Sequence, residues 1–445
     1  MDALLIKEMN MNAVRSHYPP DEHFLDMCDS LGLVYMDELA GWQNGYDSRV
    51  GAKLVKEMIE RDVNHPCIIL WSNGNEGGWN TQTDPLFAQY DRLQKRHMVH
   101  PWADFNDLDT HHYPTYLTGV ARFTNGYKVF MPTEFMHAMY DQGGGAGLRD
   151  FWDRWCTNPL FAGGFIWVYC DEAPKRSDKG GILDSDKSNA PDGVVGPRRE
   201  KEGSYYAIRA QWSPIQLKPL LITNHFDGRF LLTNEYTFTN LKDCRMTYKV
   251  LSCGTPLQGN AEAGKVIAEG KVQLPSINPG ETGTARFELP DSFREGDVLE
   301  LEAFDKEGKS ICNWTYPIHL AKQYFERNLA QTTLTPAPQK AEARQTSDAI
   351  ELKSSKVSIT FDAATGMIRH IKSGETEVPF KDGPVAIGMK MRYEPSLSYT
   401  RHSSDGAIYC AKYKGAADSI VWRLTNEGLL YMDAILLNRG SGGGG

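Results

Sequence analysis

Two short segments carry carboxylates in small, polar surroundings at the ends of apolar runs. One is Trp71-Ser72-Asn73-Gly74-Asn75-Glu76-Gly77-Gly78, and the other is Met131-Pro132-Thr133-Glu134-Phe135-Met136-His137. A glutamate in such a place, taken alone, more often caps a helix or joins an ion pair. Two of them brought to one rim would do something else. A pair of carboxyls on either side of a sugar ring is what cleavage of a glycosidic bond requires. Glu76 and Glu134 are 58 positions apart, so everything depends on whether the fold brings them together.

The elements that would position them are legible. Asp2 to Met9, Pro20 to Leu31, Val50 to Val63, Leu86 to Lys95 and Gly147 to Trp155 have apolar residues at helical spacing. Between them lie short apolar runs that read as strands: Asn12 to Arg15, Gly32 to Glu38, Cys67 to Trp71, Pro101 to Phe105, Leu108 to Tyr113, Val129 to Glu134 and Gly164 to Tyr169. Cys67-Ile68-Ile69-Leu70-Trp71 is apolar throughout, as expected of a parallel strand covered on both faces. Strand alternating with helix predicts a parallel α/β fold over 1–212. A (β/α)8 barrel gathers its site at the C-terminal ends of the strands, so both glutamates would point into one mouth. The order opens on a helix, which fits a TIM barrel lacking its first strand. A doubly wound open sheet would need a Gly-rich phosphate loop, and no such pattern follows any strand.

From about residue 213 the pattern changes to short alternating segments, among them Arg229 to Tyr236, Met246 to Leu251 and Val298 to Ala303, with turn residues between. They predict an immunoglobulin-like β-sandwich over 213–322. A polar, Pro-containing stretch over 323–346 reads as a linker. A second β-sandwich is expected over 347–445, truncated where the chain stops on Ser441-Gly442-Gly443-Gly444-Gly445. The fold class is thus multidomain α/β plus all-β.

Composition narrows the partners. The 445 residues hold 48 Lys+Arg against 57 Asp+Glu, a net charge of −9, with no basic block. That argues against a nucleic-acid backbone. The longest purely apolar run is far short of the roughly 18 residues that span a membrane, and no export signal opens the chain. The 10 Trp, 20 Tyr and 18 Phe suit a neutral ligand that stacks on rings. Eight cysteines without a CxxC pair read as buried thiols.

Asn12-Ala13-Val14-Arg15-Ser16-His17-Tyr18-Pro19 resembles the NAVR…SHYP segment of glycoside hydrolase family 2. Val34 to Glu38, Trp71 to Gly78, Thr133 to Met139 and Gly163 to Trp167 match the same family in the same order. The resemblance continues through Leu232 to Tyr236. It implies a retaining exo-β-glycosidase acting by double displacement, with Glu76 as acid/base, Glu134 as nucleophile and Asn75 on the sugar 2-hydroxyl. It further implies that Arg15 and His17 line the base of the pocket, that Tyr113 bonds the nucleophile, that His137 reaches sugar hydroxyls and that Trp167 forms an apolar floor. Of His111 and His112, which alternate along a strand, at most one can face the mouth. Carboxylates held as close as a retaining pair do not both ionise readily, so Glu76 is expected to carry the proton in the free enzyme.

The sequence departs from the family in places. Galactosidases of this family that bind magnesium carry Glu and His beyond the strand-end Asp-Glu. Here Leu39-Ala40-Gly41-Trp42-Gln43-Asn44-Gly45 offers neither, so no metal or other cofactor is expected. The first barrel strand and the N-terminal β domains of the family are not found, which makes turnover by this chain alone doubtful. The glucuronidase Asn-x-Lys motif is missing from 171–203, so a β-galactoside or oligosaccharide is the expected substrate. A glucuronidase- or mannosidase-type member, or an inactive carbohydrate-binding fragment, is the alternative. A homo-oligomer is conceivable for a longer parent, and the compartment stays open.

Overall fold

The structure, a computed structural model, describes residues 1–117, 126–137, 145, 147–184, 192–218, 220–253, 264–323, 339–380, 383–385, 391–415 and 417–436. The chain divides into two compact units, Met1–Leu320 and Ala321–Gly445.

The first unit opens with alternating helices and parallel strands. Helices α1 (Asp2–Glu8), α2 (Glu22–Leu31), α3 (Ser48–Asp62) and α4 (Asp84–Tyr90) alternate with β1 (Ala13–Arg15), β2 (Val34–Glu38), β3 (Ile68–Ser72) and β4 (His97–Val99). The four strands form one parallel sheet in chain order, with β1 at its edge among the described residues. The helix starts follow capping chemistry. Asp21 accepts from the His23 N–H, and Asp47 accepts from Arg49 and Val50, satisfying donors that a first turn leaves open. Pro20 therefore lies before the cap rather than in the first turn. Gly32 ends α2 at φ 65°, a left-handed position that costs glycine nothing.

The core follows the apolar periodicity. Leu25, Cys28, Val55, Ile59 and Trp71 are fully buried in one cluster. Each fully buried aliphatic side chain stabilises by roughly 1.5–3 kcal/mol. Asp37 and Glu38 sit on opposite faces of β2 and are both fully buried. Glu38 meets Arg15 and Ser72, whereas Asp37 lies against the Asp62 carboxyl. Burial, and the neighbouring Asp62 carboxylate, push the Asp37 carboxyl well above its usual range.

One expected strand moves. The fourth strand of the pattern is His97–Val99, not Pro101 to Phe105. Trp102 has a positive φ of 73°, which breaks an extended run. Asp104–Phe105 (β5) instead turns back on Leu108–Asp109 (β6) as an antiparallel pair. β6 then runs parallel to β7, Val129–Phe130. The last expected strand, Gly164 to Tyr169, is held by an isolated parallel bridge of Ile166 with Phe135, and a second, Cys170 with Val195, follows just beyond it. Helix α5 (Leu148–Trp155) forms as expected, and α6 (Gly203–Gln211) is an addition.

The rest of the first unit is two antiparallel sheets. One orders Ile215–Leu217, Arg229–Asn234 and Thr282–Arg286, and the other orders Lys265–Val272, Arg245–Ser252, Val298–Phe304 and Ser310–Pro317. Ile215, Leu232, Val250, Leu299 and Leu301 fill the space between them. Arg209 of α6 bonds the carbonyl and hydroxyl of Ser310, and Asn10 bonds the Ile311 carbonyl, so the α/β part and the sandwich share polar ties.

The second unit holds a five-stranded sheet, Glu342–Gln345 through Thr376–Val378, and a four-stranded sheet, Met391–Ser403 through Leu430–Leu436. Ile350, Phe361, Tyr409 and Trp422 pack between them. Glu342–Gln345 falls inside the stretch expected to be a linker, yet it is a strand. Its pairing with Ala349–Lys353 gives its backbone groups partners that a solvated linker would not need. Most of that linker, residues 324–338, lies outside the described residues, as do Ala138, Met139 and the chain end from 437.

Candidate active site

The site is built on the C-terminal ends of the parallel strands. Arg15 ends β1, Glu38 ends β2, and β3 leads into the loop that carries Asn75 and Glu76. Thr133 and Glu134 follow β7. Glycines bring the loops after β2 and β3 into direct backbone contact. A Cβ on Gly41 would stand 2.6 Å from the Gly78 carbonyl oxygen, and one on Gly78 would stand 2.5 Å from the Gly41 carbonyl carbon. Gly74, at φ 78°, approaches the same Gly78 oxygen. The Asn75 N–H donates to the Gly41 carbonyl at 2.6 Å and Gln43 N–H donates to the Asn75 carbonyl at 3.0 Å. Glu76 leaves this seam with a positive φ of 48°.

An oxygen of Glu76, an oxygen of Glu134 and a ring nitrogen of His112 all lie within 4.8 Å of one another. The two carboxylates read from sequence therefore meet. That separation is the one at which one carboxyl can attack a sugar carbon while the other serves the leaving oxygen; inverting pairs stand roughly 6.5–9.5 Å apart.

Glu134 is fixed from every side. Arg15 Nη1 donates to its Oε1 at 2.8 Å, His17 Nε2 lies 2.9 Å from the same oxygen, and the Tyr113 hydroxyl donates to Oε2. Burial alone would raise its pKa, but the His17 hydrogen bond, the charge His112 gains in the acid range and the Arg15 charge outweigh it and hold the carboxyl at about 2. Arg15 is itself clamped. It grips Glu38 with Nε and Nη2 at 2.8 and 3.1 Å, the Thr133 carbonyl at 3.1 Å, and Asn75 Oδ1 at 2.6 Å. Burial works against its charge, and the Glu38 and Glu134 carboxylates more than restore it. Because Arg15 can only donate, the Asn75 oxygen faces it. The Asn75 Nδ2 is left buried with no partner among the described residues.

Glu76 is held differently. Its Oε2 accepts the Trp42 indole N–H at 3.0 Å and faces the Gln43 amide at 3.4 Å. Its Oε1 lies 3.2 Å from His112 Nδ1. Trp42 is 61% exposed, so this flank is open to solvent where the Glu134 flank is closed. His112 is buried beneath Trp102, whose ring stacks on it at 5.7 Å and 5°. Burial pushes the His112 pKa down to about 4, so the ring is neutral at pH 7.

The remaining expected residues lie around this centre. Trp167 stacks on His17 at 4.4 Å. His137 stands 3.5 Å from Asp192 and 5.4 Å, ring to ring, from Tyr113. Burial raises the Asp192 carboxyl to about 6. Sequence reasoning did not assign roles to Glu38, Trp42, Trp102 or His112. The pairing of Glu38 with Arg15 follows from the β1–β2 register, which a single sequence does not print. Trp42 had one signal: a large aromatic residue in a loop otherwise made of small and polar ones.

Glu76, His112 and Glu134 are close enough to share a cation. Arg15 already supplies a positive charge against Glu134, which opposes a second one there. A further group, Asp29, His65 and Cys67, has the same closeness. Asp29 is spent there on the Cys67 N–H and the His65 ring, at 2.7 Å each, at the start of β3.

Residues 1–183 match the family described as "Glycosyl hydrolases family 2, TIM barrel domain", and residues 230–314 match "Beta-galactosidase, domain 4". The resemblance to glycoside hydrolase family 2, on its β-galactosidase side, therefore holds, and the barrel layout of the α/β segment with it. A β-galactosidase of Pectobacterium atrosepticum is 30% identical over 72% of this chain and 34% of its own length. A β-galactosidase of Priestia megaterium is 29% identical over 66% of this chain and 32% of its own length. The chain thus spans about a third of the curated relatives it matches. Among solved structures, a β-D-mannosidase from Dictyoglomus thermophilum covers 85% of this chain and 56% of its own at 13% identity and a TM-score of 0.40. A Faecalibacterium prausnitzii β-glucuronidase covers 47% and 44% at 23% identity and a TM-score of 0.37.

Proposed function

We propose that this chain, whose barrel segment is that of family 2 glycoside hydrolases, is the catalytic part of a retaining exo-β-galactosidase. The observation that carries the reading is the approach of Glu76 and Glu134 to within 4.8 Å. Glu134, kept ionised by Arg15, His17 and Tyr113, attacks the anomeric carbon. Glu76 gives its proton to the leaving oxygen. Water then displaces Glu134 from the sugar, and Glu76 takes the water's proton.

The flanking groups fit these steps. Asn75 presents an amide donor with no partner among the described residues, and a sugar 2-hydroxyl is the group that would use it. When the charge on Glu134 disappears into the ester, Arg15 keeps Glu38 as its counter-ion, so the pocket floor need not rearrange. Trp167 behind His17 supplies an apolar surface for a sugar face. Galactose rather than another sugar rests on the names of the sequence relatives and on the absence of Asn-x-Lys from 171–203. No metal step is needed in this scheme.

The test is Glu134→Ala. Turnover of a p-nitrophenyl β-galactoside should fall by at least ~10⁴-fold, and azide should restore it by forming the α-galactosyl azide. Activity unchanged in Glu134→Ala removes it as nucleophile. Hydrolysis of the glucuronide or mannoside but not the galactoside by the unaltered protein overturns the sugar assignment.

A further inference from the structure

Three hydrogen-bond constraints meet at His112. The Thr133 hydroxyl donates to the Thr110 carbonyl at 3.0 Å, and a carbonyl can only accept. The Thr133 proton is therefore committed. His112 Nε2, 2.8 Å from that same hydroxyl oxygen, must then be the donor to it. A neutral imidazole carries one N–H. With that hydrogen on Nε2, Nδ1 presents a bare lone pair.

The bare nitrogen faces two carboxyls. Glu76 Oε1 is 3.2 Å away and Glu134 Oε2 is 3.6 Å away. A lone pair pointed at a carboxylate oxygen repels it. Pointed at a carboxylic acid, it accepts a hydrogen bond. Glu134 is spoken for by Arg15, His17 and Tyr113, all groups that favour its ionised form. On Glu76, Oε2 already accepts from Trp42. Oε1 is the oxygen left to carry a hydrogen.

We propose that His112 is a positioning residue that holds the catalytic proton on Glu76 Oε1, accepting it at Nδ1 in the resting enzyme. This rests on the glycosidase reading above and adds to it how the acid stays loaded. The Thr110–Thr133–His112 chain locks the tautomer. Trp102, stacked on the ring, keeps water from protonating it. The other charges facing the ring are Glu76, Glu134 and Arg15. Arg15 opposes a positive imidazole, and burial does so more strongly. During turnover no covalent bond to His112 forms or breaks. The proton passes from Glu76 to the leaving oxygen and returns from water in the second step, and the lone pair at Nδ1 makes Glu76 a stronger base for that return.

His112→Phe keeps a ring under Trp102 and deletes the acceptor. The alkaline limb of the kcat/KM profile should move to lower pH by about one unit. Galactosides with poor leaving groups should lose ~10- to 100-fold in kcat/KM, within the range general acids supply, while kcat/KM of the 2,4-dinitrophenyl galactoside, whose first step needs no proton, stays near the wild-type value. That value doubles as the check on folding. His112→Asn, whose amide oxygen can stand near the Nδ1 position, should recover most of the lost rate. A uniform loss across leaving groups, or an unmoved alkaline limb, overturns the proposal. Independently of any activity, ¹⁵N spectra of the histidine-labelled protein should show His112 as the Nε2–H tautomer from pH 5 to 8. An imidazolium or an Nδ1–H signal overturns it even if the His112→Phe protein fails to fold. A protein that hydrolyses no glycoside but shows the Nε2–H tautomer refutes the glycosidase reading and not the hydrogen-bond assignment.

Discussion

The two glutamates at the barrel mouth share one pocket and are held by opposite means. Glu134 is buried among an arginine, a histidine and a tyrosine, and Arg15 is tied in turn to Glu38, Asn75 and the Thr133 carbonyl. Glu76 hangs from a loop, in contact with one exposed indole, one amide and one buried neutral ring. The difference matches the tasks proposed for them. A nucleophile must stay ionised and aimed, so charges and strand ends surround it. An acid that later becomes a base must change state twice per cycle, so fixed charge beside it would favour one state and slow the other.

The sharpest way to break this contrast is to remove Arg15. Arg15→Met leaves Glu38 and Glu134 as buried carboxylates without their cation, at a cost of about 3–5 kcal/mol. A melting temperature lowered by many degrees, with kcat/KM down at least ~10²-fold, is the expected outcome. Arg15→Lys should rescue little, because one ammonium cannot reach Glu38, Glu134 and Asn75 together. Near-normal stability in Arg15→Met would mean the clamp is not what holds this flank.

Acid unfolding sharpens it next. Glu134 titrates at about 2 in the fold against roughly 4.3 in an unfolded chain. A depressed pKa contributes stability that is fully present above the unfolded value and is lost as pH falls from about 4 to 2. The contribution is on the order of 3 kcal/mol. Urea titrations of Glu134→Gln should therefore show a shallower loss of stability over that window than the wild type. An identical slope would place the acid sensitivity elsewhere. Asp37 works with the opposite sign: its raised pKa favours the folded state at low pH, and that advantage fades as pH rises through its folded value.

The smallest expected effect is on the open flank. Trp42→Phe removes a single N–H from Glu76 Oε2 and should cost about 1 kcal/mol, a several-fold fall in kcat/KM that is greatest for poor leaving groups. A loss as large as that of Arg15→Met would show that the two flanks are equally rigid.

How far the sequence reaches follows the same divide. Glu76 and Glu134 are legible because each follows a short apolar run, Cys67 to Trp71 and Val129 to Met131, into small and polar residues. Arg15, His17 and Asn75 come with them through the family resemblance. What holds Glu76 is not legible. Trp42 and Trp102 lie on loops whose path is set by backbone contacts, and Trp102 takes a positive φ in a stretch that reads as a strand. The alternation of His111 and His112 says that at most one faces the mouth without saying which. Helix α6 escapes notice because Tyr205 and Ile208 are the only buried positions in a weakly patterned run.

The seam of Gly41, Gly74 and Gly78 has a consequence for anyone reshaping this mouth. The acid's coordinates are inherited from three missing methyl groups, so diversity aimed at new leaving groups belongs at Trp42 and Gln43, whose side chains reach Glu76 without forming the seam. Libraries that randomise the whole stretch would mostly sample displaced carboxyls, and screening would mistake lost placement for lost preference.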